Sequence, residues 1–154
     1  MSTFIYTFLL VVIDQVSKYI VSRINSVKSL HYIVIDGFFN ITYAENKGAA
    51  FSILQGKRIY FIIITFVVII GLVIYLLKEK VKGLERIYLI LIMAGAIGNL
   101  IDRIIHGYVI DFLDFIIFGY DFPIFNVADS YITVGVVLFI LNELMKGNKK
   151  DAGN

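Results

Sequence analysis

The sequence predicts a membrane all-α bundle of four transmembrane helices, with a small outer-face β-sheet and a short interfacial helix. Three observations predict it. Hydrophobic residues make up 59% of the 154-residue chain and mean hydropathy is +0.86, against about 45–50% apolar for a soluble domain. The excess is gathered into four runs, each close to the roughly 20 residues that span a bilayer. Lys and Arg are gathered at only some of the ends. The length is that of one domain, so residues 1–154 are read as a single integral-membrane unit.

The first span covers about 4–24. No Lys or Arg precedes it and no small-x-small cleavage site follows it, so it reads as a retained helix and not as a removable signal. The second, about 59–77, carries no charge. The third, about 87–105, is polar only near its end. The fourth covers about 126–145.

Orientation follows the placement of basic residues. The connection at 78–86 holds Lys78, Lys80, Lys82 and Arg86, and the tail holds Lys146, Lys149 and Lys150, whereas 104–144 has no Lys or Arg. Both termini and the 78–86 loop are therefore expected on the cytoplasmic side of the membrane. Segments 25–58 and 106–125 then lie at the outer face. Segment 25–58 carries Lys28, Lys47, Lys57 and Arg58, a mild objection to that orientation.

Within 25–58, His31–Ile35 and Phe38–Tyr43 are rich in β-formers and flank the turn dipeptide Asp36-Gly37. A small sheet on the outer membrane surface is expected. Segment 106–125 contains Tyr108, Phe112, Phe115, Phe118, Tyr120, Phe122 and Phe125. Such rings favour the headgroup level, and a short interfacial helix or an extended piece is expected there.

Composition also excludes functions. There is no cysteine, which removes disulfides, thiolate metal sites and a Cys nucleophile. His31 and His106 are the only histidines, and no spacing suggests a metal site or a cofactor. No basic stripe is interleaved with aromatics, so nucleic acid is a poor partner; membrane lipid is the expected surrounding.

Polar side chains in a span cost free energy, a carboxylate about 2.5–3.5 kcal/mol at a helix centre, so each is a functional candidate. Asp14 and Lys18 are four apart on the first helix. Asn99, Asp102 and Arg103 share a face of the third. Asn126 and Asp129 open the fourth, and Asp111 lies where the chain returns to the membrane. All fall toward the outer leaflet. Two carboxylates held close cannot both ionise cheaply; one keeps a proton and the other is a base. That arrangement activates water against an amide carbonyl. Spacing alone does not choose between Asp102 and Asp111 as the partner of Asp129.

Plainer readings stand beside these. Asp14 with Lys18 fits a helix-stabilising ion pair, Asp102 and Arg103 fit structural roles in one network without adjacency making them a contact pair, and Asn126 with Asp129 fits a helix N-terminus. Asp114 and Asp121 read as solvated loop acids, and Gly48, Gly95 and Gly98 as turn or close-packing residues. A small transporter would spread its polar residues through the depth of the bundle; here they cluster at one end.

Five stretches occur in order: Asp14-Gln15-Val16-Ser17-Lys18, Asn46-Lys47-Gly48-Ala49-Ala50-Phe51-Ser52, Gly95-Ala96-Ile97-Gly98-Asn99-Leu100-Ile101-Asp102-Arg103, Val109-Ile110-Asp111-Phe112 and Phe125-Asn126-Val127-Ala128-Asp129-Ser130. Together they resemble bacterial signal peptidase II, the lipoprotein signal peptidase, over nearly the whole chain. The resemblance implies an inner-membrane aspartic endopeptidase acting on diacylglyceryl-modified prolipoproteins. It would cut just before the lipidated cysteine, with no cofactor. It implies Asp111 and Asp129 as the catalytic pair, supported by Asn46, Asn99, Asp102, Arg103 and Asn126 and more distantly by Asp14 and Lys18. It further implies a four-helix bundle with a β-cradle and a short outer helix, and inhibition by cyclic peptides of the globomycin type.

Overall fold

The structure, a computed structural model, describes residues 2–48 and 57–151. Four helices carry the chain back and forth: α1 (Ser2–Val27), α2 (Arg58–Lys78), α3 (Gly83–Ile105) and α4 (Val127–Asp151). Each is long and apolar enough to cross a membrane, and the four are the spans expected. The protein is multi-pass.

Helix α3 is the hub. It packs on α1, α2 and, most extensively, α4. Its buried face includes Leu89, Met93, Ala94, Gly95, Ala96 and Gly98. Small residues matter here because hydrophobicity does not press helices together in lipid; close van der Waals contact does. A Cβ on Gly95 would run into the Ala128 carbonyl and Ile132 of α4, and one on Gly98 into the Asp14 carboxylate of α1. The close-packing reading of these glycines holds. Helix α2 touches its neighbours so lightly that none of its residues is buried.

Between the helices runs one antiparallel sheet in the order β1 (His31–Ile35), β2 (Phe39–Asn46), β3 (Val109–Ile117), β4 (Tyr120–Asp121). Asp36-Gly37 makes the first hairpin as expected; Gly37 has φ +67, a left-handed conformation that glycine adopts without a steric penalty. Of the two forms expected for 106–125, the extended one is found. No fifth helix occurs among the described residues.

Two local signals return the chain to the bundle. Helix α3 ends where the His106 amide still bonds the Asp102 carbonyl at 2.8 Å and Gly107 turns to φ +87, a glycine stop. Strand β3 then starts beside the end of α3. Its pairing with β2 slips by one residue between Ile41 and Ala44, which leaves Ala44 opposite Asp111 and Asn46 opposite Val109. Such a bulge bends a strand and re-aims its side chains. Val21 of α1 packs with Ile110 and Phe112 beneath the sheet, fixing β3 against the first helix.

Candidate active site

The polar residues of α1, α3, β2, β3 and the start of α4 meet at one end of the bundle, away from the connection between α2 and α3. They form two adjoining clusters.

The inner cluster is closed. The Lys18 ammonium lies 3.0 Å from Asp14 Oδ2, 2.9 Å from Asp102 Oδ2 and 3.0 Å from Asn99 Oδ1. An ammonium has three N–H donors, and each has an acceptor. Asp14 Oδ1 accepts the Ala128 amide at 2.9 Å, and Asp102 Oδ2 accepts the Ile110 amide at 3.1 Å. The Gln15 amide bonds Asp14 Oδ2 and Asp102 Oδ1 at 3.1 and 3.0 Å, tying the two acids together. Asp14, Lys18 and Asp102 are 2% exposed or less, so this is a buried ion triad. The ion-pair reading of Asp14 and Lys18 holds, enlarged by a second acid.

The outer cluster is open. Asp111 Oδ2 accepts Asn46 Nδ2 at 2.9 Å and its Oδ1 accepts Asn126 Nδ2 at 2.6 Å. Asp129 Oδ1 accepts Asn99 Nδ2 at 2.7 Å. Both carboxylates face a groove of about 550 Å³, which Asn46, Asn99 and Arg103 also line. Phe122, Pro123, Ile124, Phe125, Ile132 and Val134 make its apolar wall. Burial pushes the Asp111 carboxyl up to about 7, and the negative Asp129 adds to the rise against the opposing amide bonds.

Asparagines join the clusters. Asn99 Oδ1 accepts both Lys18 and, at 3.2 Å, Asn126 Nδ2, while its amide nitrogen serves Asp129. Asn126 also caps α4: its Oδ1 accepts the Asp129 amide at 2.9 Å, and its own amide donates to Asp129 Oδ2 at 3.3 Å. This reciprocal arrangement is a capping box. The helix-start reading and the site reading of this pair are therefore compatible, since the box itself presents the Asp129 carboxylate to the groove.

All nine sequence-selected residues thus fall in one connected network. Asp102 is partnered by Lys18, and Arg103 turns elsewhere. Its guanidinium bonds the Gly48 carbonyl at 3.2 Å and lies 5.2 Å from the Phe61 ring centroid. Adjacent helical residues point about 100° apart, so sequence neighbours are poor contact partners. Asp114 is also not a free loop acid. It sits on β3 and accepts the Thr42 hydroxyl at 2.7 Å. Asp121 is exposed at β4. Gln15 was not selected; its only sequence signal was its place between Asp14 and Lys18. Residues 49–52 of the second motif lie outside the described residues.

Residues 6–145 match the family described as Signal peptidase (SPase) II. Lipoprotein signal peptidases of Staphylococcus aureus and Staphylococcus haemolyticus (strain JCSC1435) are 48% and 47% identical over 143 residues. These alignments cover 92% of this chain and 87% and 90% of theirs. A bacterial membrane enzyme solved by the in meso method at 2.3 Å superposes with a TM-score of 0.88 at 42% identity, over 97% of this chain and 91% of that one. A second, solved at 1.9 Å, gives 0.80 at 43% identity over 93% and 92%. On the match over residues 6–145 and on relatives of this identity and coverage, the chain belongs to the signal peptidase II family.

Proposed function

We propose that this chain is an intramembrane aspartic endopeptidase that removes the signal peptide from diacylglyceryl-modified prolipoproteins. It cuts just before the lipidated cysteine. The observation that carries the reading is the pair Asp111 and Asp129, two carboxylates on one groove with neutral amides as their direct donors.

The chemistry follows from that pairing. With Asp111 pushed up to about 7, the two carboxyls can share one proton near neutral pH, and that proton belongs to the pair. The ionised carboxylate takes a proton from water as the water oxygen bonds the scissile carbonyl carbon. The protonated one donates to the carbonyl oxygen. Collapse of the tetrahedral intermediate breaks the C–N bond, and the amine of the new N-terminal cysteine leaves with a proton from the dyad. Asn46, Asn99 and Asn126 hold the carboxylates, and Arg103 lies where it can anchor the peptide backbone. Asp14, Lys18 and Asp102 support the site from behind. The apolar wall suits a lipidated, apolar substrate, and globomycin-type cyclic peptides would compete for the same groove. Orientation by basic residues sets both termini in the cytoplasm and the groove near the outer face of the inner membrane.

The test is cleavage of a lipidated prolipoprotein by the purified protein in detergent. Wild type should release the signal peptide, and Asp111→Asn and Asp129→Asn should not. Cleavage surviving Asp111→Asn would move the partner role to Asp102. No cleavage by folded wild type, on a substrate that a known peptidase of this type accepts, would sink the enzyme reading.

A further inference from the structure

At the end of the bundle away from Asp111 and Asp129, α1 and α3 part along a second groove, of about 600 Å³. Leu9, Leu10 and Ile13 of α1 line it with Ile87, Ile90 and Leu91 of α3. Residues three and four apart share one side of a helix, so each helix offers a continuous apolar strip. The strips run from the starts of both helices toward the middle of the spans. From Tyr6 to Ile13 the groove is about 10 Å long at the helical rise. Leu9 is 49% exposed and Ile13 54%, so it opens sideways to lipid. Hydrocarbon suits such a groove whatever headgroup it carries; the polar group at the groove's end decides which lipid it holds.

Arg86 is that group. It lies in the first turn of α3 and lines the same groove. Its guanidinium sits 5.6 Å from the centroid of the Tyr6 ring and donates to the Ser2 hydroxyl, both on α1. It pairs with no carboxylate among the described residues. Its sequence neighbour Glu85 instead accepts the Tyr75 hydroxyl at 2.6 Å. The Arg86 Nε is shielded from solvent and has no acceptor among the described residues. A buried charged donor left unpaired is costly. Lys18 shows a buried cation for which the chain supplies every acceptor itself; Arg86 is held in place by its neighbours and left without a counter-ion. Its planar fork of donors suits phosphate oxygens.

We infer that this groove binds one anionic phospholipid, with its phosphate on Arg86 and an acyl chain between α1 and α3. Charge complementarity commits the site to that occupant. Lys78, Lys80, Lys82 and Arg86 against Glu79 and Glu85 leave the 78–86 stretch net positive. A zwitterionic lipid would bring its own ammonium into that field, whereas an anionic one brings only the charge that Arg86 lacks. Basic pockets between spans on the cytoplasmic side hold anionic headgroups in this way. The leaflet is the cytoplasmic one on the orientation set by the basic residues. The site is remote from the dyad and independent of the reaction proposed there. A lipid in it joins α1 to α3 at the end of the bundle that the Lys18 cluster does not reach.

The chain has no Trp, so one introduced indole reports its own surroundings. Leu9→Trp places it in the groove. Ile70→Trp, on the exposed side of α2 and a similar distance from the same end of the bundle, is the reference. Each protein is reconstituted into phosphatidylcholine vesicles holding a minor fraction of phosphatidylglycerol. Bromine is carried near the headgroup end of the acyl chains, either by the phosphatidylglycerol or by an equal mole fraction of the phosphatidylcholine. At Leu9→Trp, brominated phosphatidylglycerol should quench several-fold more than brominated phosphatidylcholine; at Ile70→Trp the two should quench alike. Adding Arg86→Gln to Leu9→Trp should abolish the excess. Equal quenching by the two lipids at Leu9→Trp would overturn the inference, since water would then serve Arg86. The same excess at both positions would also overturn it, because the basic edge would then gather anionic lipid around the whole bundle. So would an excess that survives Arg86→Gln in the folded protein. The comparison of the two Trp positions keeps Arg86 and decides the matter even where Arg86→Gln does not fold, and Ile13→Trp gives the groove readout should Leu9→Trp not fold.

Discussion

The two carboxylate clusters are built from the same residue types and share Asn99, yet they are opposites. In the inner one, Asp14 and Asp102 are locked on Lys18, with every ammonium proton used and the Gln15 amide across the back. In the outer one, Asp111 and Asp129 have amide donors and face a groove. A carboxylate saturated by an ammonium and by amides has no free lone pair to offer a substrate and suits a scaffold. One left beside another carboxylate, with donors but no cation of its own, keeps access to both protonation states. The partner, and not burial alone, distinguishes the two pairs, since Asp102 and Asp111 are 1% and 2% exposed; under the proposed function it is what would divide a structural acid from a reactive one.

The largest effect separates the clusters by function. Asp111→Asn or Asp129→Asn should lower kcat by about 10⁴-fold, near the upper end for a general acid or base. The melting temperature in detergent should not fall. A variant retaining a tenth of wild-type kcat would remove that residue from the dyad.

The inner cluster should respond in stability instead. Lys18→Met leaves two buried carboxylates without their cation and should cost about 3–5 kcal/mol. Adding Asp14→Asn and Asp102→Asn to it should restore most of the loss, because the charges leave together. Chemical unfolding of the single and triple variants measures both. A single variant as stable as wild type would show that the triad is not an ion cluster.

Asn99 is where the clusters meet. Asn99→Ala removes a hydrogen bond to each of two charged groups, and such bonds are worth about 1.5–3 kcal/mol. A drop in kcat of roughly 10–100-fold is expected, together with a lower melting temperature. A change in stability with kcat intact would mean that Asp129 does not depend on Asn99 for its position.

The same contrast explains what the sequence could reveal. The spans were legible because long apolar runs have no alternative in a bilayer, and Asp36-Gly37 announced its hairpin. The stretch from Val109 to Ile117 was not decided, since a short, nearly continuous apolar run fits helix or strand; pairing with β2 decides it. The helical members of the candidate site were legible because polar residues in spans are rare, whereas Asn46 was legible only through the resemblance. Their pairing was not. Arg103 with the Gly48 carbonyl depends on where the chain after β2 lies against α3, and Lys18 with Asp102 on how α1 sets against α3. That packing is settled by Gly98 and its neighbours and not by spacing along one helix. Gln15 was missed because a neutral amide beside a charged pair carries no signal until a second helix supplies its other acceptor.

The mildest test reads the open cluster through stability. An unfolded aspartate titrates near 3.8, and Asp111 in the folded protein near 7. The folded state therefore binds more protons between these values. Wild type should lose stability relative to Asp111→Asn as pH rises from about 4 to about 7, with a slope of at most about 1.4 kcal/mol per pH unit. Above about 7 the difference should be flat, since Asp111 is then ionised in both states. Melting temperatures of the two proteins across that range check it. A difference growing in the opposite direction would mean that Asp111 gains stability from its charge, and the distinction between the two clusters would fail at its most exposed point.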